Sequence, residues 1–155
     1  MDKLQYIPGD LVMTNGIPIG TKKGIVYQVT ESNADKSAKV KDGNAFTELK
    51  GSVTLSNIKG KTIHDEGFLF CDCGAWVNNI VPIPLTPTIL EKNGWKKPDG
   101  FDSYWLGKIG LLRYDKVWQS AVGNTRLAII LHDIQYVHQL QHLLFGLGIN
   151  HEMEV

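Results

Sequence analysis

The sequence predicts an α+β fold, in which a small N-terminal β module is followed by an antiparallel β-meander with two helices. Three observations predict this fold. Short runs rich in β-branched and aromatic residues, separated by glycine and asparagine turns, fill the first 80 residues. Four similar runs follow residue 103. Helix signals occur twice in the second half, at residues 86–94 and 133–147.

The N-terminal module, residues 1–80, is expected to contain five short strands, at 10–13, 24–29, 38–41, 52–55 and 68–70. Asn15-Gly16, Gly20 and Asp42-Gly43-Asn44 supply turns between them. Regularly spaced short strands with glycine-rich turns are typical of small barrels. The first two runs, with Pro8-Gly9 before them, resemble the opening hairpin of SH3-like barrels. We therefore expect an SH3-like small β-barrel here.

The C-terminal module, residues 81–155, begins with an extended proline-rich segment. A helix near 87–93 follows, with Thr86 as N-cap, Pro87 at its first position and Asn93-Gly94 at its end. Strands are expected at 104–106, 109–114, 117–122 and 126–131. A second helix near 134–147, capped by Asp133, carries one apolar stripe formed by Ile134, Val137, Leu140, Leu144 and Leu147.

Composition and charge restrict the function classes. The 155 residues have no net charge, and each module is neutral by itself, with nine basic and nine acidic residues before position 81 and seven of each after it. Binding to nucleic acid through phosphate neutralisation requires clustered basic residues. Nucleic acid is therefore an alternative partner, which the module would bind with Lys22, Lys23, Lys39 and Lys41 together with Tyr27.

The sequence contains no apolar run near the roughly 18 residues that indicate a membrane span and no signal-peptide core at its start. We expect a protein of the host-cell cytoplasm, or of a virion, without membrane contact. Cys71 and Cys73 are then free thiols. Their spacing, with one residue between them and no second ligand pair, does not match a structural zinc site.

The second helix contains a partial match to a catalytic motif. His138 and His142 have the spacing of the zinc-binding His-Glu-x-x-His helix. The general base of that motif is its glutamate, and here the position is Gln139, whose amide cannot take up a proton near neutral pH. Metalloprotease chemistry is therefore excluded, and we expect no metal and no cofactor.

No other catalytic motif replaces it. The sequence has no nucleophile elbow and no glycine-rich phosphate loop. We therefore predict no catalytic residues and no enzyme activity. The residues predicted to bind a partner are polar side chains of the second helix and two tryptophans near the module junction: Gln135, His138, Gln139, His142, Trp76 and Trp95. The alternative for the two tryptophans is that they fill the space between the modules.

Two segments carry a resemblance to a protein group. Pro-Ile-Pro-Leu-Thr-Pro-Thr-Ile-Leu at 82–90 and Tyr-Val-His-Gln-Leu-Gln-His-Leu-Leu-Phe-Gly-Leu at 136–147 resemble small uncharacterised proteins of Bacteroidetes phages and mobile elements. The resemblance implies a phage or mobile-element origin and brings no activity with it. We expect an accessory protein that binds another macromolecule, either a virion component or a host protein. The alternatives are a host-inhibiting or ligand-sequestering anti-defence protein and a nucleic-acid-binding module.

Overall fold

The computed structural model describes residues 5–155. The chain divides into two compact units between Ile83 and Pro84. Both units are built on an antiparallel sheet, and the second also contains two α-helices. The predicted α+β class, with antiparallel sheets and two helices, is confirmed.

The first unit is a five-stranded antiparallel sheet. Its strands are β1 (Leu11–Thr14), β2 (Tyr27–Asp42), β3 (Ala45–Asn57), β4 (Cys73–Trp76) and β5 (Ile80–Pro82), in the order β4-β3-β2-β1-β5. A single turn of 3-10 helix, Val77–Asn79, joins the last two strands. Among the described residues β4 and β5 form two open edges, so the predicted SH3-like closed barrel is not confirmed.

Alternate residues of the central strands form the core of this unit, as expected for a sheet with one buried face. The buried cluster consists of Tyr6, Val12, Tyr27, Val29, Val53, Leu55, Ala75 and Ile80. Two strand predictions for this unit were wrong. Residues 38–41 are not a separate strand but the outer part of β2, and residues 68–70 form no strand.

The second unit, Pro84–Val155, contains the predicted four-stranded meander. Its strands are β6 (Ser103–Leu106), β7 (Ile109–Tyr114), β8 (Val117–Gly123) and β9 (Ala128–Ile134), and they are paired in sequence order. One residue more on β9 than on β8 makes a bulge at Leu131-His132, opposite Ser120. The hydroxyl of Ser120 donates a hydrogen bond to the carbonyl of His132 (2.8 Å) and so stabilises the bulge.

The first helix, α1 (Pro87–Lys92), begins where the sequence predicts. The Thr86 hydroxyl accepts a hydrogen bond from the Ile89 backbone N–H (3.3 Å), as an N-cap does. This helix is joined to the sheet through its acidic side chain, because the Tyr104 hydroxyl donates to Oε1 of Glu91 (2.8 Å). Burial, and next the hydrogen bond to Glu91, raise the pKa of Tyr104 above its ordinary value.

The second helix, α2 (Val137–Gly146), begins three residues later than predicted. Ile134 is the last residue of β9 and pairs with Trp118, and Asp133 pairs with Gln119, so Asp133 is not the N-cap. The strand therefore continues through the predicted helix start. None of the helices in residues 5–155 has the length and apolar character that a membrane crossing requires.

Candidate functional site

The two histidines of α2 lie one turn apart, as their spacing predicts, and contact each other. The rings of His138 and His142 meet edge to face, with centroids 5.7 Å apart, and His138 also stacks on Tyr136 at 5.9 Å. His138 is buried and His142 is half-buried. Within residues 5–155, no three His, Cys, Asp or Glu side chains are grouped to hold a metal ion.

Gln139 has a structural task at the start of the same helix. Its Oε1 accepts hydrogen bonds from the backbone N–H groups of Gln135 (2.8 Å) and Tyr136 (3.1 Å). These groups lie at the helix entrance, where backbone donors have no partner within the helix. Gln139 thus closes the N-terminus of α2. Gln135 is the one predicted polar side chain of this region that is exposed.

The two predicted tryptophans belong to different units. Trp95 is 2% exposed, and its backbone N–H donates to the Leu90 carbonyl (3.0 Å) at the end of α1. Its ring therefore has almost no surface to offer a ligand. Trp76, at the end of β4, is half-buried, and the Lys36 ammonium lies 5.6 Å from the centre of its ring.

The Cys73 thiol is not an activated nucleophile. Cys71 is exposed and Cys73 is buried, and neither forms a disulfide. The Cys73 thiol donates to the Ile19 carbonyl (3.0 Å). Burial, and next the nearby Cys71, raise the pKa of Cys73, so that it is protonated at neutral pH.

The structure contains a prominent surface that the sequence did not reveal, at the outer end of β2 and β3. Beyond Asn33 and Ser52 these strands continue as a two-stranded ribbon of six residue pairs, from Ser37↔Lys50 to Asp42↔Ala45. We call residues 37–50 the hairpin arm. At about 3.3 Å per residue it is roughly 20 Å long. Neither β1 nor β4 reaches it, because their pairings stop at Tyr27-Gln28 and at Ser52–Leu55.

A bulge separates the arm from the sheet. Three residues of β2, 34–36, stand opposite the single residue Gly51 of β3. Asn33 organises them, since its Oδ1 accepts from the backbone N–H groups of Asp35 (3.1 Å) and Lys36 (3.0 Å). Bulges bend a strand and increase its twist. The arm therefore leaves the sheet at this bulge, whose backbone donates hydrogen bonds to Asn33.

The two faces of the arm differ chemically. Residues directly opposite in an antiparallel pair share a face. The apolar face consists of Ala38, Val40, Thr47 and Leu49, with Asp42 and Ala45 near the tip, and the basic face of Ser37, Lys39, Lys41, Phe46, Glu48 and Lys50. Val40 is 46% exposed and Phe46 71% exposed. Only Ala38 and Leu49 are half-buried, and the rest of the arm is exposed.

A second surface lies on β9, at the edge of the meander. Large apolar side chains are exposed along and just before this strand: Leu127, Ile129, Ile130 and Leu131. A groove of about 340 Å³ runs beside it, lined by apolar side chains that include Phe101, Leu112 and Ile130 and by polar ones that include Asp102, Arg113 and Arg126. The sequence predicted a strand here, at 126–131. It did not predict an edge position, which depends on the sheet order.

Comparisons of the chain with protein-family models, with curated proteins and with solved structures found no match.

Proposed function

We propose that the protein is a non-enzymatic accessory protein of a phage or mobile element that binds another protein through the hairpin arm. The observation that carries the proposal is the exposure of both faces of this arm, apolar side chains included. An isolated two-stranded ribbon is marginally stable in water and gains stability when a third strand or another surface covers it. A partner protein on the apolar face supplies that cover.

The state of the chemically interesting side chains supports a role without catalysis. Gln139 stands where the zinc-helix motif needs a base, and its carbonyl oxygen is used in the helix cap. Cys73 is buried and protonated. The phage or mobile-element origin rests on the resemblance of residues 82–90 and 136–147. The genes next to this one test it, since virion genes and defence-related genes imply a virion component and a host-protein binder, respectively.

The test of the arm compares variants of its two faces. Wild-type protein, an apolar-face variant (Val40→Lys with Leu49→Glu) and a basic-face variant (Lys39→Glu with Lys41→Glu) are used to capture proteins from host lysate and from virions. We expect a partner that the wild type and the basic-face variant retain and the apolar-face variant loses. Equal capture by the two variants, or no specific capture by the wild type, contradicts the proposal.

A nucleic-acid partner is the second candidate, and one observation favours it. The basic face brings Lys39 and Lys41 together with the exposed ring of Phe46, and lysines with an aromatic ring are the elements of single-strand binding. Tyr27 does not take part, because it is fully buried and its hydroxyl accepts from the Lys22 backbone N–H (2.9 Å).

The same two variants separate this candidate from the first. If the partner is nucleic acid, affinity for a labelled single-stranded oligonucleotide falls steeply with added salt. It is then lost in the Lys39→Glu/Lys41→Glu variant and kept in the Val40→Lys/Leu49→Glu variant. An oligonucleotide that fails to bind at low ionic strength rules this candidate out.

A further inference from the structure

The two edge strands of the meander sheet, β6 and β9, differ in the backbone pairing of their outer sides. At the β6 edge, residues before the strand return and pair with it, because Trp105 and Lys96 exchange two backbone hydrogen bonds (2.8 and 2.9 Å). Along β9 itself, no strand in the described part of the chain pairs with the outer side; an isolated bridge joins Pro84 to Tyr136, two residues past the end of β9. An uncovered edge offers backbone donors and acceptors to another chain.

Proteins usually protect such an edge with lysines, prolines, bulges or covering loops. On β9 the bulge at Leu131-His132 is one such device, and the residues before it, 128–130, include no lysine and no proline. Residues 127–131 read Leu-Ala-Ile-Ile-Leu, and Ile129 is 71% exposed. A run of this composition at an open edge is a typical template for strand pairing.

We propose that β9 pairs with β9 of a second copy of this chain, antiparallel across a twofold axis at Ile129. The two meanders then form one continuous eight-stranded sheet. β9 belongs to the second unit and the hairpin arm to the first, so the inference goes beyond the proposed function and does not depend on it.

The edge sequence is complementary to itself in this arrangement. A twofold axis at Ile129 places that residue opposite its own copy, Ala128 opposite Ile130, and Leu127 opposite Leu131. Every pair in the centre is therefore apolar. A twofold contact requires this property, because the same patch serves both copies.

The charges at the two ends of the strand are complementary as well. Arg126 lies in the turn just before β9, Asp133 lies near its end, and both are exposed. Asp133 pairs with Gln119 and Ile130 with Ala121, so Asp133 shares the face of Ile130, and Arg126 lines the groove on that face. Continuing this register places Arg126 opposite His132 of the other copy, and because the bulge puts the adjacent Asp133 on the face of Ile130, Asp133 is the acidic side chain beside Arg126, which gives two reciprocal ion pairs. These charges favour a second copy over an unrelated strand.

The experiment measures molar mass in solution for the full chain, by light scattering and sedimentation velocity from micromolar to submillimolar concentration. We expect twice the 17.3 kDa of one chain for the wild type. Ile129→Lys should be monomeric, because it puts two like charges against each other at the axis. The matched control Tyr114→Lys, at a 66% exposed position of the same unit, should remain dimeric. Far-UV circular dichroism checks that both variants are folded.

A charge exchange tests the register. Asp133→Arg alone should weaken the dimer most at low salt, because it sets Arg126 against a second positive charge that salt would screen, and adding Arg126→Asp should restore the dimer. A wild-type protein that stays monomeric over the whole range, or a dimer that Ile129→Lys leaves intact, overturns the proposal. A double charge exchange that fails to restore association overturns the twofold axis at Ile129.

Discussion

Gln139 shows how one residue can rule out a reaction and stabilise a fold. The amide that cannot act as a general base accepts two backbone hydrogen bonds at the entrance of α2. A carbonyl oxygen is all that this capping task needs. The role that the structure shows for this residue is the cap of α2.

Replacing Gln139 separates these two roles. Gln139→Ala removes both acceptor contacts, and we expect a loss of about 1 kcal/mol in the free energy of unfolding of the second unit. Gln139→Glu restores the glutamate of the His-Glu-x-x-His motif and keeps an acceptor oxygen. It also puts a negative charge near the helix N-terminus, where such a charge is favourable. Its unfolding free energy should equal or exceed that of the wild type.

The measurement for these variants is urea unfolding followed by tryptophan fluorescence, because Trp95, Trp105 and Trp118 all lie in the second unit. An alanine variant as stable as the wild type would falsify the capping role. A glutamate variant that loses as much stability as the alanine variant would show that the contact needs the neutral amide.

Sequence spacing correctly gave the one-turn separation of His138 and His142 but not their environment. His138 and Gln141 are buried together with the apolar stripe, whereas Phe145 is 59% exposed. Gln141 lies under the C-terminal tail, where its Nε2 donates to the His151 carbonyl (3.2 Å). Helical periodicity cannot predict this burial, because it depends on where a later segment of the chain passes.

At the scale of elements, the second unit was predictable because its strands are joined by short turns. Asp115-Lys116 and Gly123-Asn124 mark the ends of neighbouring strands, and each pairing is local. In the first unit, β2 and β3 extend far beyond the sheet that contains their buried halves. Nothing in the local sequence shows where a third strand stops, so the arm could not be predicted.

The meander also requires a residue without a side chain at one point. Trp105 lies across Gly110, its neighbour on β7, and a Cβ at Gly110 would come within 2.7 Å of the indole ring. The ring cannot move away easily, because it is buried and its Nε1 donates to the Ser103 hydroxyl (2.9 Å). Glycine at 110 is therefore part of the packing of this tryptophan.

We expect Gly110→Ala to destabilise the second unit by about 1–3 kcal/mol, as overpacking does. The matched control is Gly146→Ala at the end of α2, where an added Cβ meets no atom within 4 Å. Because alanine is the better helix former, this control should be neutral or slightly stabilising. Thermal unfolding of both variants checks the pair, and equal midpoints would contradict the close contact between Trp105 and Gly110.

At the scale of the whole molecule, the first unit combines a small core with a long projection. All members of its buried cluster lie outside the hairpin arm. The arm therefore adds length and surface to the unit without adding to its core. A part of the chain that folding does not require is a natural place for a binding role.

Removing the arm tests this separation. Replacing residues 34–51 with Asn-Gly joins Asn33 and Ser52, which are already paired, through a two-residue hairpin turn. We expect the free energy of unfolding of the first unit to fall by less than about 2 kcal/mol, because no residue of the buried cluster is removed and the loop becomes shorter. Leu55→Ala, in the core, should cost about 2–5 kcal/mol.

Urea titration followed by two-dimensional NMR resolves the two units, with the amides of Val29 and Val53 as reporters. If the shortened protein loses as much stability as Leu55→Ala, the arm is part of the fold, and the argument that its surface is kept for a partner fails.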